Sequence, residues 1–217
     1  MTSLDPAPCL YVYRWHGRCC TYRGHEPLGA VQRVGSTVTN VRVGDRVTVP
    51  THICCGFCPN CVHGFSGACL TNNPGKWGAA YGYPGMGGYA GAQTALLRVP
   101  FGDANCLRLP GEPGDRWEHD FVLLADALPT AFHATELSQV AFGDIVVIYG
   151  AGAIGLLATM CAFLRGAAEV FVVDAIPERL EKAGEPGARP IDMRDGRPPL
   201  RDRRVRRQRS AHAERIG

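Results

Sequence analysis

Four closely spaced cysteines carry the strongest chemical signal in the 217-residue sequence. Cys55, Cys58, Cys61 and Cys69 follow the spacing C-x2-C-x2-C-x7-C within CGFCPNCVHGFSGAC. Turns rich in glycine and proline let three thiolates converge while a short loop returns the fourth, which suits tetrahedral zinc. A ferredoxin run would continue x3-C-P and fits less well. The spacing therefore predicts a structural Zn²⁺ ion, with the adjacent Cys54 outside the ligand set.

A glycine-rich turn is the second signal. Gly150, Gly152 and Gly155 form G-x-G-x-x-G, in which Ala153 and Ile154 fill two of the variable positions. The β-branched run IVVIY precedes the turn and the apolar run LLATMCAFL follows it, which is typical of strand, turn and helix. In a βαβ unit the glycines permit the tight turn, the approach of a pyrophosphate and the packing of helix on strand. The helix N-terminus supplies the anion site.

A carboxylate follows this turn at the distance expected of a dinucleotide site. Asp174 closes the second strand of the unit, 19 residues after Gly155, where it can bond a ribose 2′-hydroxyl and repel a 2′-phosphate. Arg179 is expected on a solvated helix face. These positions favour NAD over NADP.

The elements that must position these residues differ between the two halves of the chain. Residues 29–50 contain short valine-rich runs broken by turn residues, a pattern typical of antiparallel strands. Further strands are predicted within 92–100 and 107–110. After Trp117 the spacing becomes helical, and the predicted elements are listed in order: helices 121–128 and 130–140 separated by Pro129, strand 145–148, helix 155–165 and strand 169–173. No regular pattern follows residue 184, so the second half provides two strands where six would complete a doubly wound sheet.

Composition excludes several classes of protein. With 46% hydrophobic and 20% charged residues, the chain is globular and is neither disordered, collagenous nor a coiled coil. Ten cysteines in this length fall short of a disulfide scaffold, and MTSLDPAPCL lacks the layout of a signal peptide, so a cytoplasmic location is expected. The uncharged stretch 145–164 could span a bilayer by length, but its glycines favour strand, turn and helix, and no membrane association is expected.

Positive charge is concentrated at the C-terminal end. The net charge of +3 conceals nine arginines against three acidic residues within 194–217. An arginine-rich segment can bind nucleic acid, but this one lacks interleaved aromatic residues. A disordered tail over 191–217 without a nucleic-acid partner is therefore expected.

The whole pattern resembles the zinc-dependent medium-chain dehydrogenase/reductase family, the alcohol dehydrogenases. The likeness rests on GHEPLGAVQRVGSTVTNVRVGDRVTVP, the cysteine cluster, CLTNNP, AYGYPGMGGYAGAQ, LADALPTAFHA and the glycine turn, in the family's order. It implies a mixed α/β fold: an N-terminal GroES-like β-barrel over 1–140 with its zinc lobe at 54–70, then a partial NAD-binding Rossmann unit over 141–190.

The resemblance also implies a second, catalytic zinc. Its ligands would be His25 of Gly-His-Glu, Asp126 of LADALPT and an N-terminal cysteine, for which Cys9 is the nearest counterpart. Glu26 would orient these ligands. The implied reaction is hydride transfer between NAD and a small alcohol or aldehyde hydrate, with zinc as Lewis acid.

Two alternatives to this enzyme stay open. The family's Cys-Gly-Ser/Thr-Asp segment and its later strands have no counterpart here, so a truncated, non-catalytic zinc-binding chain is the main alternative. A nucleic-acid module built from the cysteines and the arginine tail is a weaker one. The substrate is not specified by the sequence, and a homo-oligomer is compatible with the resemblance.

Overall fold

The computed structural model describes residues 10–13, 24–73 and 75–195. The chain divides into two compact units between Asp126 and Ala127, and each unit is described by itself. Cys9 and residues 196–217 lie outside the described residues. Residues 191–195, which were expected to belong to a disordered tail, instead form the end of a strand and a 3₁₀ turn.

The first unit is built on a five-stranded antiparallel sheet in the order β4-β1-β2-β3-β5. The strands are β1 (Leu10–Tyr13), β2 (Leu28–Val34), β3 (Arg46–Thr48), β4 (Leu96–Val99) and β5 (Leu107–Arg108). Strand β2 pairs with β3 through the register Leu28↔Thr48, as the valine-rich pattern predicted. Among the described pairings none joins β4 to β5, so the sheet is not closed into a barrel by these hydrogen bonds.

Buried valines from this sheet and from the residue after β3 form much of the core of the first unit. Val31, Val47, Val49 and Val99 are fully buried and pack with Tyr81, which is 1% exposed. In β4 successive side chains point to opposite faces, so Leu97 and Val99 reach this core. The β-rich prediction for this half is confirmed, although β1 was not predicted.

The segments that connect the strands of the first unit contain short helices. They are α1 (Pro59–Val62), α2 (Gly102–Asn105) and α3 (Glu118–Phe121), with 3₁₀ turns at Ser66–Ala68 and Val122–Ala125. The last 3₁₀ turn continues α3 without a break and ends at Asp126.

The second unit is a parallel three-stranded sheet with helices. Its elements are α4 (Ala127–Leu137), β6 (Ile145–Tyr149), α5 (Ala153–Leu164), β7 (Glu169–Asp174), α6 (Pro177–Gly184) and β8 (Arg189–Asp192), followed by a 3₁₀ turn at Met193–Asp195. The strand order β6-β7-β8 and the parallel register confirm the predicted βαβ unit. Buried Val170, Val172 and Ala162 form its core.

Two details of this unit differ from the prediction. A third strand, β8, pairs with β7 where no strand was expected, because an exposed edge strand needs no apolar alternation and tolerates Pro190. Pro129 does not separate two helices; it lies in the first turn of α4, where the missing N–H would have had no helical partner. The helical segment breaks at Asp126 instead.

Helix α4 packs against α5, so it falls within the second unit, whereas the sequence suggested a boundary at residue 140. Across the described residues no helix has the length and apolar character needed to span a bilayer. The stretch 145–164 forms β6, a turn and α5, as its glycines indicated.

Candidate functional site

The four cysteine sulfurs converge on one point. The Sγ atoms of Cys55, Cys58, Cys61 and Cys69 all lie within 4.8 Å of one another. The pairs Cys58–Cys61 and Cys55–Cys61 are separated by 3.4 Å and 3.8 Å. Tetrahedral zinc with bonds of about 2.3 Å separates its sulfur ligands by about 3.8 Å. The arrangement therefore fits a zinc ion and is too open for disulfide bonds.

Backbone and hydroxyl hydrogen-bond donors contact the sulfurs of Cys55 and Cys69. The N–H of Cys58 donates to Cys55 Sγ at 3.3 Å, the hydroxyl of Thr71 donates to the same sulfur at 3.3 Å, and the N–H of Thr71 donates to Cys69 Sγ at 3.4 Å. Backbone N–H groups, that of Leu70 foremost, lower the pKa of the Cys58 thiol to about 6, whereas burial raises the pKa of the neighbouring Cys61 thiol to about 12 in the absence of a metal ion. A thiolate is the form that binds a metal ion.

Cys54 stands outside this cluster despite its position in the sequence. Its Sγ lies 3.7 Å from the carbonyl oxygen of Ala104, and its backbone is held by two hydrogen bonds with the buried amide of Asn105. Burial raises the pKa of the Cys54 thiol. Cys54 therefore joins the lobe to α2.

His25 and Asp126 form a second convergence of ligand atoms in the first unit. The Nε2 atom of His25 lies 3.1 Å from Oδ2 of Asp126, and the side chains are 35% and 29% exposed. The His25 ring packs at 5.4 Å from the ring of Tyr83. Histidine nitrogen and carboxylate oxygen bound to one zinc ion would lie roughly 3.4 Å apart, given bonds of about 2.1 Å. The pair fits two of the predicted catalytic ligands.

The strand β3 and the residues after it hold His25 in place. The hydroxyl of Thr51 donates to the carbonyl oxygen of His25 at 3.1 Å, and the N–H of Val49 donates to the carbonyl of Pro27 at 3.0 Å. Glu26, between them, is half-buried. The third predicted ligand, Cys9, lies outside the described residues.

Sequence reasoning did not identify Arg46, which connects β3 to the segment before Asp126. Its guanidinium is fully buried and pairs with Asp115 at 2.7 Å. An arginine within the valine-rich run VGDRVTVP was a usable signal, because a buried charge needs a partner.

The glycine turn has the backbone shape that the motif predicted. Gly150 has φ of 97°, a conformation that favours glycine. A Cβ on Gly155 would overlap the carbonyl oxygen of Gly150, whereas a Cβ on Gly152 would meet nothing within 4 Å. Ala153 and Ile154 begin helix α5, whose first N–H groups have no helical acceptors. The turn thus leaves open space beside backbone donors, as a pyrophosphate requires.

Asp174 lies against this turn. Its Oδ2 accepts from the N–H of Ala151 at 2.7 Å, and its Oδ1 accepts from the N–H of Ala175 and Ile176 at 2.6 and 2.9 Å. These donors, Ala151 foremost, lower the pKa of the Asp174 carboxyl. Arg179 approaches Oδ2 at 4.0 Å. The carboxylate is therefore ionised at neutral pH.

Comparison with known proteins identifies the family of the chain. The family model of the alcohol dehydrogenase GroES-like domain matches residues 10–110. The glutathione-independent formaldehyde dehydrogenase of Pseudomonas aeruginosa is 42% identical over 171 residues, which are 78% of this chain and 43% of that enzyme.

The chain belongs to the zinc-dependent alcohol dehydrogenase family.

Solved structures of this family have the same fold. The alcohol dehydrogenase TADH from Thermus sp. ATN1 superposes with a TM-score of 0.80 at 33% identity, covering 95% of this chain and 61% of that one. A short chain alcohol dehydrogenase from E. coli CFT073, solved in complex with the cofactor NADH, superposes with a TM-score of 0.60 at 32% identity, covering 77% of this chain and 46% of that one. The chain spans about half the length of the curated relatives that it matches.

Proposed function

We propose that this alcohol dehydrogenase family member transfers hydride between a small alcohol or aldehyde hydrate and NAD, with a zinc ion held by His25 and Asp126. The single observation that carries the proposal is the 3.1 Å approach of His25 Nε2 to Asp126 Oδ2 in the chain that also contains the four-sulfur cluster. The formaldehyde dehydrogenase likeness supports alcohols and aldehydes as the substrate class.

The two proposed zinc sites have different tasks. At the cysteine cluster the four thiolates would bind a structural ion that stabilises the lobe. At the other site His25 and Asp126 would bind the catalytic ion together with Cys9, and Glu26 would orient these ligands. When bound there, zinc acts as a Lewis acid that lowers the pKa of a substrate hydroxyl.

The glycine turn would bind the cofactor, in keeping with the NADH complex of the E. coli relative. The N–H groups at the start of α5 would donate to the pyrophosphate beside Gly150, Gly152, Ala153, Ile154 and Gly155. The ionised Asp174 would accept from the ribose 2′-hydroxyl and repel a 2′-phosphate, which favours NAD over NADP. The cofactor carries out the hydride chemistry, and the chain would orient the cofactor and the substrate.

We also propose a cytoplasmic location.

Purified full chain, loaded with zinc, tests this proposal through alcohol-dependent formation of NADH. A panel of short primary alcohols and formaldehyde is assayed with NAD and, separately, with NADP. The Asp126→Asn variant is the matched control, because it removes one negative charge and preserves side-chain size. Turnover by the parent chain and its loss in the variant would support the proposal, whereas equal background rates in both would refute it.

A further inference from the structure

Arg46 is a buried cation whose partners all lie on one short segment. Its side chain is 0% exposed and forms a two-pronged contact with Asp115, Nη1 to Oδ1 at 2.7 Å and Nη2 to Oδ2 at 3.0 Å. Nη1 also approaches the Glu118 carboxylate at 3.4 Å. The guanidinium donates to the carbonyl oxygens of Glu112, at 2.8 Å, and Pro110.

The aromatic ring of Phe121 covers the guanidinium, with the guanidinium carbon 4.6 Å from the ring centroid, while the buried Nε has no hydrogen-bond partner among the described residues. A buried guanidinium is costly unless it is paired in good geometry, and the planar fork matches a carboxylate in two contacts. The Asp115 carboxylate accordingly raises the pKa of Arg46. The position of the segment that carries Asp115, Glu118 and Phe121 is thus tied to strand β3.

That segment leads directly to Asp126. Helix α3 and the 3₁₀ turn Val122–Ala125 are continuous, so no flexible loop separates Phe121 from Asp126. The 3₁₀ turn also packs against β3. The residues that follow β3 also hold the backbone near His25. Val49 donates to the carbonyl oxygen of Pro27, and Thr51 donates to that of His25.

We infer that Arg46 is a positioning residue for the His25–Asp126 pair, which it aligns by holding the segment 115–121 against β3. This inference rests on the proposed function for its catalytic meaning. The contacts of Arg46 themselves are independent of any metal ion. A lysine at this position would keep the charge but lose the fork that sets the orientation of the segment.

The test uses the full chain with zinc at the cysteine cluster and compares Arg46→Met with Arg108→Met. Arg108 is an exposed arginine on the neighbouring strand β5, so its variant loses the same charge without touching the segment. Asp115→Asn, which keeps Arg46 in the core, is the second variant. The ring ¹⁵N resonances of His25 report its contact with Asp126 in the absence of a second metal ion. Asp126→Ala, which removes the acceptor, is the reference for loss of that contact.

We expect Arg46→Met to move the His25 resonances toward those of Asp126→Ala. Asp115→Asn and Arg46→Lys should move them part of the way, and Arg108→Met should leave them unchanged. The affinity of the second zinc site should fall by about 10- to 100-fold in Arg46→Met, while the cysteine site retains its zinc.

If Arg46→Met and Asp115→Asn lower the unfolding midpoint but leave the His25 resonances at their parent values, Arg46 is structural and the inference is wrong. A parent chain that binds one zinc ion would overturn the proposed function instead. The resonance comparison would still decide the role of Arg46.

Discussion

The cysteine cluster and the His25–Asp126 pair are assembled in different ways. The cluster takes all four ligands from residues 55–69, within one lobe whose turns bring the sulfurs together. The pair joins two residues that are far apart in the sequence of the first unit, and each is held by a different set of contacts. The first arrangement is local in sequence and the second depends on the completed sheet.

This difference determines what each site contributes. A local cluster has little structure without its ion, so metal binding supplies folding energy to the lobe. A pair held by β3 and the 115–126 segment receives its geometry from the fold, and the metal ion then uses that geometry. We therefore expect substitutions at the first site to change stability and substitutions at the second to change metal occupancy.

The largest effect is expected for Cys58→Ser. Loss of one thiolate should release the structural zinc and forfeit on the order of 10 kcal/mol of apparent binding energy. The lobe should then become sensitive to limited proteolysis near residues 56–68. Cys54→Ser is the matched control, because Cys54 is buried beside the cluster without joining it. Equal protease resistance in Cys58→Ser and the parent chain would contradict a structural role for the metal ion.

Asp126→Asn should produce the converse result. The variant removes a charged ligand from the second site, so the zinc affinity of this site should fall by at least about 100-fold. Loss of a residue that only hydrogen-bonds to a ligand costs about 10- to 100-fold. Measured without zinc at this site, the unfolding midpoint should change little, since Asp126 is partly exposed. Metal competition with a chelator measures both sites in one titration. Selective loss of zinc from the cysteine site in this variant would contradict the assignment of Asp126 to the second site.

The sequence predicted the local features well because their information is contiguous. The cysteine spacing, the glycine turn with Asp174 and the βαβ order each lie within a short segment. The edge strand β8 was not predicted, because half of its residues are exposed to solvent and it contains a proline. The ion pair of Arg46 with Asp115 joins residues that are distant in sequence, so a periodic sequence pattern does not predict it. The pairing of His25 with Asp126 came from the family resemblance and not from spacing.

Gly155→Ala extends the comparison to the second unit, where another local motif is tested. The added Cβ would overlap the Gly150 carbonyl, so we expect a loss of about 1–3 kcal/mol in the free energy of unfolding of this unit. Gly152→Ala is the control, because its Cβ meets open space; it should weaken NAD binding with little effect on stability. Chemical denaturation monitored by circular dichroism measures the first quantity, and similar denaturation curves for the two variants would contradict the packing argument.

Asp174 is expected to determine the cofactor preference. Asp174→Asn keeps one oxygen acceptor, removes the negative charge and places an amide nitrogen against a backbone N–H. A hydrogen bond to a charged group contributes about 1.5–3 kcal/mol. NAD affinity should fall by about tenfold or more, and NADP should bind better than it does to the parent chain. Fluorescence titration with both nucleotides gives the ratio. An unchanged preference would assign the discrimination to other residues.

Zinc content is the most direct test of the claim that this chain contains two metal sites of different construction. Elemental analysis of the purified full chain, after exchange into zinc-buffered medium, should give two zinc ions per chain. Cys58→Ser and Asp126→Asn should each give one. A parent chain with a single zinc ion that Asp126→Asn retains would contradict the account.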